Sequence, residues 1–309
     1  MATKPPPGGF FVSRRRAGPA EIVSAAAIMK NKVDYQSNDY DRQSQRFVIP
    51  LYIKDDLDNF EFSSTGTLAK YKGHHYILFA AHALAGNLDF DRVHIFGADG
   101  QFHQIKALSI GHHVFSDQDI VIVDCFNQVM DGKNYFNLDQ HSLIGFEKKV
   151  FAWTGFPASL SNSKQVHRSN TPDKLKERFV SVTDHGSYFN NARYFTIHAK
   201  LKANNKIQIA GVYNRKNVNL KYKGNASTGP HPKGMSGGAM YFFAKDTILK
   251  SSLDETFRFA GIGIEYKDNT IIGVPRSKIV ELLELFDKEM PLRLALASNH
   301  DPDNGAGQN

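Results

Sequence analysis

The sequence predicts an all-β fold with a helix at each end, and three observations predict it. From Phe47 onward, short runs of β-branched and aromatic residues alternate with turns at roughly 10-residue spacing, the pattern of a sandwich or barrel. Helical periodicity stands out at only two places, residues 19–32 and 277–290. The chain has 309 residues, of which 41% are hydrophobic and 23 are Phe, enough to build a sizeable core in one large or two small domains.

The elements follow in order. Residues 1–17 are rich in Pro, Gly and Arg and lack an apolar segment after the arginines, so they do not read as a secretory signal. In 19–32, Ile22, Val23, Ala26 and Met29 recur at helical spacing, giving an arm that packs on the body or meets a partner. Strands are expected at 47–53, 67–72, 75–79, 93–96, 121–123, 150–153, 194–201, 206–213, 239–243 and 259–266. Residues 158–193 are polar and aperiodic and read as a long loop. After Pro275, the residues Ile279, Val280, Leu282, Leu283 and Phe286 mark an amphipathic helix. The tail 299–309 is polar and reads as disordered.

Chemistry concentrates at Gly234-Met235-Ser236-Gly237-Gly238, followed by the apolar run Ala239-Met240-Tyr241-Phe242-Phe243. A serine between glycines ahead of a buried strand suits a nucleophile on a tight loop. The oxyanion formed on an attacked carbonyl is stabilised by backbone N–H groups aimed at one point. A serine nucleophile needs a base, and the base needs an orienting group. The segment Tyr76-Ile77-Leu78-Phe79-Ala80-Ala81-His82 is an apolar strand ending in small residues and a histidine. The segment Asp117-Gln118-Asp119-Ile120-Val121-Ile122-Val123 is an acidic turn feeding a β-branched strand. The chain order is His82, Asp119, Ser236, with Asp117 as the rival carboxylate.

With these residues in place the chain resembles a family, the trypsin-like serine peptidases of the chymotrypsin fold, closest in style to the bacterial, disulfide-free members. Ser64-Thr65-Gly66-Thr67 is similar to the strand that opens the family's first barrel. Ala80-Ala81-His82, Asp119-Ile120-Val121-Ile122 and Gly234 to Gly238 are similar to the three triad motifs. Gly155-Phe156-Pro157, Gly261-Ile262-Gly263-Ile264 and Ile271-Ile272-Gly273-Val274-Pro275 are similar to strands of the second barrel. Each motif is short; the ordered set runs from about residue 60 to about 285. The resemblance implies a double six-stranded β-barrel with an N-terminal helical extension and a C-terminal helix. Its divisions fall at 1–45 (arm and helix), 46–150 (first barrel), 151–275 (second barrel), 276–298 (helix) and 299–309 (tail).

The resemblance also implies the roles. Ser236 is the nucleophile, His82 the base, Asp119 the orienting group, and the amides of Gly234 and Ser236 form the oxyanion hole. No cofactor or metal is called for. Substrate-binding positions fall, by count, on Pro230 at the base of the primary pocket and on Ile264 and Glu265 in the strand after the serine, with His231 beside the pocket. Pro230 carries no charge, so a strict Lys/Arg preference is not supported. Met235 stands where the family has Asp or Asn, which excludes activation by an ion pair to a new N-terminus. Ile264 stands where the family usually has serine.

Composition bears on partners and compartment. The single cysteine, Cys125, permits no internal disulfide and points to a reducing cytoplasm. No apolar stretch approaches the roughly 18 residues of a membrane helix. The net charge is +7, with basic clusters at Arg14-Arg15-Arg16, 174–178 and 202–223. No recognition helix, zinc spacing or stacking motif accompanies them, so a solvated face or an acidic protein partner fits better than nucleic acid. Among the 13 histidines, the pairs His74-His75 and His112-His113 read as exposed turn residues, without a zinc-ligand pattern around them.

The expected function is therefore a serine endopeptidase acting on protein substrates; a binding module built on an inactive protease fold is the alternative. An esterase of the α/β-hydrolase type has the opposite residue order and alternating helices. An uncontrolled cytoplasmic protease would damage its host, so a regulatory protein partner is expected. The Gly- and Pro-rich loop 229–234 is the segment such a partner would order, and a bacterial anti-phage defence complex fits by analogy.

Overall fold

The computed structural model describes residues 33–35, 39–84, 90–161, 171–183, 186–189, 192–222, 225–245, 250 and 252–298. The expected helix at 19–32, the Arg14-Arg15-Arg16 run and the tail 299–309 lie outside them.

Two sheets make the body. The first has eight strands. Its path runs Phe102–Gln104, Val93–Phe96, Val48–Lys54, Phe60–Tyr71, His74–Ala80, Ile120–Asp124, Gly111–Phe115, and Phe136–Asn137 adds to Phe60–Tyr71. The second is a closed six-stranded barrel. It runs Val150–Gly155, Phe195–Asn204, Ile209–Val212, Thr270–Pro275, Phe257–Lys267, Ala239–Phe243 and back to Val150–Gly155. This all-β pairing is consistent with the chymotrypsin-like double barrel. It departs from two equal six-stranded barrels because the first sheet does not close among the described residues.

Local chemistry sets the hairpins. Tyr71 pairs with His74 across Lys72 and Gly73, whose φ values of 48° and 86° are both positive. Lys267 pairs with Thr270 across Asp268 and Asn269, at 49° and 56°. Two central residues at positive φ match the right-handed twist of the flanking strands, and Gly, Asn and Asp tolerate them.

An apolar cluster containing Val48, Leu78 and Ile122 of the first sheet and Ala152, Tyr241 and Ile262 of the barrel joins the two. The terminal helix, Arg276–Ser298, buries Ile279, Leu282, Leu283 and Phe286 in the same cluster. It lies against the first sheet although it follows the last barrel strand: Tyr71 donates to Glu284 (2.9 Å) and Tyr76 to Asp287 (3.3 Å). The short helix Asp39–Ser44 belongs to the barrel side, where Asp41 faces His198 at 3.5 Å and Ser44 meets Thr154 at 3.3 Å.

Three expectations are corrected. Residues 158–193 are not one loop, because helix Pro172–Phe179 and the hairpin of Val180–Thr183 with Gly186–Phe189 lie within them. Pro172 pre-sets φ at the first turn of that helix, and Leu175 seats it against Tyr52 and Phe96. His74 and His75 open a strand, the first paired to the buried Asp124 at 2.8 Å. His112 and His113 lie in the Gly111–Phe115 strand, with His112 stacked on Phe90. Among the described residues no helix is long and apolar enough to cross a membrane.

Candidate active site

Strand register brings His82 to Asp119. The strands His74–Ala80 and Ile120–Asp124 are antiparallel and end with Ala80 opposite Ile120. One residue further, the Ala81 amide donates to the Asp119 carbonyl at 3.0 Å. Asp119 sits at φ 54°, a left-handed conformation that Asp tolerates, and this turns its side chain back over the strand ends. His82 lies in the short turn Ala81–Leu84 that follows. The Asp119 carboxylate is acceptor-only, so Nδ1 of His82 donates to Oδ2 at 2.6 Å, while Oδ1 takes the His82 amide at 2.7 Å. Nε2 is left as the basic nitrogen. The hydrogen bond to Asp119 raises the His82 pKa above its ordinary value, against the opposing effect of burial. Asp117 is exposed and joins no part of the site.

The Ser236 loop is fastened from both sheets. Thr65, on the strand Phe60–Tyr71, donates its amide to the Ser236 carbonyl (3.0 Å) and its hydroxyl to the Gly234 carbonyl (2.9 Å). Its hydroxyl oxygen also accepts the Phe156 amide (2.9 Å). Thr67 donates to the Gly237 carbonyl (2.7 Å). Gly237 sits at φ 86°, and a Cβ there would lie 2.0 Å from the Thr65 carbonyl, so the close approach of loop and strand requires glycine.

The amides follow from this pinning. The Lys233 carbonyl accepts from Ala158 at 2.8 Å, and the Met235 amide donates to Pro232 at 2.8 Å. The amides of Gly234 and Ser236 have no hydrogen-bond partner among the described residues. Two such amides on either side of one residue are what an oxyanion hole needs. These bonds tie the end of the loop 229–234 to the body.

His82, Asp119 and Ser236 line one cavity of about 460 Å³. The Ser236 hydroxyl donates to the Ile264 carbonyl at 3.1 Å, and no hydrogen bond joins it to His82. One wall is His231, Pro232 and Lys233; the other is Ile264, Glu265 and Tyr266; Trp153 is buried at the base. Of the substrate-binding positions expected from the sequence, Ile264, Glu265 and His231 line the cavity. Pro230 does not line the cavity. It is buried, and its carbonyl accepts from the Tyr213 hydroxyl at 3.2 Å, so Pro232 forms the wall in its place.

Sequence reasoning missed Trp153, Lys233 and Tyr266. Tyr266 continues the wall begun by Ile264 and Glu265, where the pairing register of the strand shifts between Gly263 and Glu265. Trp153 depends on Gly263, where a Cβ would come within 2.3 Å of the indole.

No protein-family model matches the chain, and no curated protein matches it. Among solved structures, the serine protease of a human pathogenic astrovirus is similar over 74% of this chain and 89% of that one, at 11% identity and a TM-score of 0.36.

Proposed function

We propose that this chain is a serine endopeptidase that cleaves proteins through His82, Asp119 and Ser236 and an acyl-enzyme. One observation carries the reading: a histidine oriented by a carboxylate lines the same cavity as a serine whose own amide, with that of Gly234, has no hydrogen-bond partner among the described residues. Ser236 leaves the Ile264 carbonyl and attacks the peptide carbonyl carbon, and its proton passes to Nε2 of His82. The amides of Gly234 and Ser236 take the oxyanion. Collapse breaks the C–N bond, and His82 gives the proton to the leaving amine. Water, deprotonated by His82, then splits the ester and restores Ser236. Asp119 holds the imidazole and offsets its charge throughout.

A fluorophosphonate probe tests this. It labels the wild-type chain and not Ser236→Ala. The absence of wild-type labelling favours a second reading, a binding module on an inactive protease fold, for which the Ser236 bond to Ile264 instead of His82 is the supporting observation.

Control by a protein partner, and the cytoplasm as compartment, belong to the same proposal and rest on the single cysteine and on Met235 in place of an activating Asp. The segment on which the partner acts in this proposal is the Gly- and Pro-rich loop 229–234, which carries the Gly234 amide. Expression with and without neighbouring gene products, compared by probe labelling of Ser236, tests this. Equal labelling and broad cleavage by the lone chain overturn partner control.

A further inference from the structure

The cavity beside Ser236 is unevenly supplied with donors and acceptors. His231 and Lys233 contribute one wall, and among the described residues Glu265 is the single carboxylate besides Asp119 that lines the space. The Lys233 amide donates to Nδ1 of His231 at 3.1 Å, which fixes the tautomer: in the neutral ring the proton is on Nε2. The ring also meets Tyr266 edge-to-face, with centroids 5.4 Å apart, and the Tyr266 hydroxyl is anchored on Asn269 at 3.1 Å. His231 is therefore an oriented donor, and its Nε2 has no partner among the described residues.

A second donor is unspent. The indole nitrogen of Trp153 is buried and makes no hydrogen bond among the described residues. Buried N–H groups are rarely left so, and each is a place where an acceptor is favoured. Beyond the wall, Arg215 is fixed by its bond to the Gly229 carbonyl at 3.0 Å. Burial, Arg215 and Lys233 together lower the His231 pKa, so near neutral pH the ring is an uncharged donor in a positive surrounding.

We propose that this cavity receives an acidic side chain of the substrate, with His231 and Lys233 holding its carboxylate. This names the substrate class of the site proposed above and rests on that reading. The chemistry selects an acidic residue over its amide. A carboxylate offers only acceptors to a set of N–H donors, whereas an amide places an N–H among them. Glu265 opposes the preference and is exposed, as His231 and Lys233 are; Asp119 already spends both carboxylate oxygens on His82. A Lys or Arg side chain would bring a second cation to Lys233 and would offer the Nε2–H of His231 nothing to donate to.

Two measurements on the full chain test the proposal. The first is a peptide library varied at the residue before the cleaved bond. The expected result is Glu or Asp over Gln, Asn, Lys and Arg by at least about tenfold in kcat/KM, with His231→Ala cutting that ratio by about tenfold, the scale of a hydrogen bond to a charged group. Equal turnover of Glu and Gln peptides, or a preference for Lys or Arg, overturns the proposal. The second measures binding of product peptides ending in Glu, Gln or Lys to Ser236→Ala by fluorescence anisotropy, which needs no catalysis. Tighter binding of the Glu peptide, lost in the Ser236→Ala, His231→Ala double variant, supports the proposal. Equal binding of all three overturns it. Glu-selective binding in a chain that neither cleaves nor takes the fluorophosphonate probe overturns the peptidase reading and leaves the carboxylate site standing.

Discussion

Asp119 grips His82 at two points: one carboxylate oxygen takes the ring Nδ1–H at 2.6 Å and the other takes the backbone amide at 2.7 Å. The ring is thereby fixed in both position and tautomer by a single side chain that Ala81 in turn holds through the Asp119 carbonyl.

The pH dependence follows. The hydrogen bond to Asp119 raises the His82 pKa, and the base form is the active one. The acidic limb of kcat/KM should therefore lie above the ordinary value of about 6.5. In Asp119→Asn the raising effects are lost and burial remains, so the limb should move to lower pH while the rate falls by about 10⁴-fold. The stabilisation that this pair gives the fold is present below the unfolded-state pKa and is lost as pH rises through the folded one. A pH–rate profile on both proteins checks the direction.

Ser236→Ala should abolish hydrolysis with little change in folding. It removes one hydroxyl on a half-buried loop, and its single hydrogen bond to Ile264 is worth roughly 1 kcal/mol. Thermal unfolding beside the activity assay separates the two effects. Full activity in the alanine variant would refute Ser236 as nucleophile.

Gly237→Ala should behave in the opposite way, losing stability as well as activity. A Cβ would stand 2.0 Å from the Thr65 carbonyl at a φ of 86°. The left-handed backbone alone costs about 1–2 kcal/mol for an L-residue, and the clash adds to it. Urea unfolding should show a midpoint well below the wild type.

Cys125 should resist thiol reagents in the native protein. It is buried, and burial pushes the thiol up to about 12, so thiolate is scarce at neutral pH. Labelling with iodoacetamide should appear only as denaturant unfolds the chain. Rapid labelling of the folded protein would contradict this packing.

The strands of the two sheets were legible because alternating and β-branched runs must bury one face, and the turns were legible where Gly, Asn or Asp permits positive φ. The hairpin at 180–189 and the short strands Phe102–Gln104 and Gly111–Phe115 were not. Three to five residues carry too little periodicity, and their pairing comes from neighbours supplied by distant segments. His82, Asp119 and Ser236 could be named because each ends or begins an apolar strand in an ordered set.

What the sequence by itself determined, then, is the all-β class, the terminal helix and the three residues around the cavity, since these rest on local pattern and order. Only the tertiary structure decided how the serine loop is held and what faces it. Thr65 and Thr67 reach the loop from some 170 positions away in the chain, through contacts no local pattern encodes. The Tyr213 bond buries Pro230 and puts Pro232 in the wall. His231 gains an oriented N–H only because the Lys233 amide turns back onto it and Tyr266 closes from the other strand. The three residues announce themselves by type and order, whereas the direction of a donor is fixed by packing.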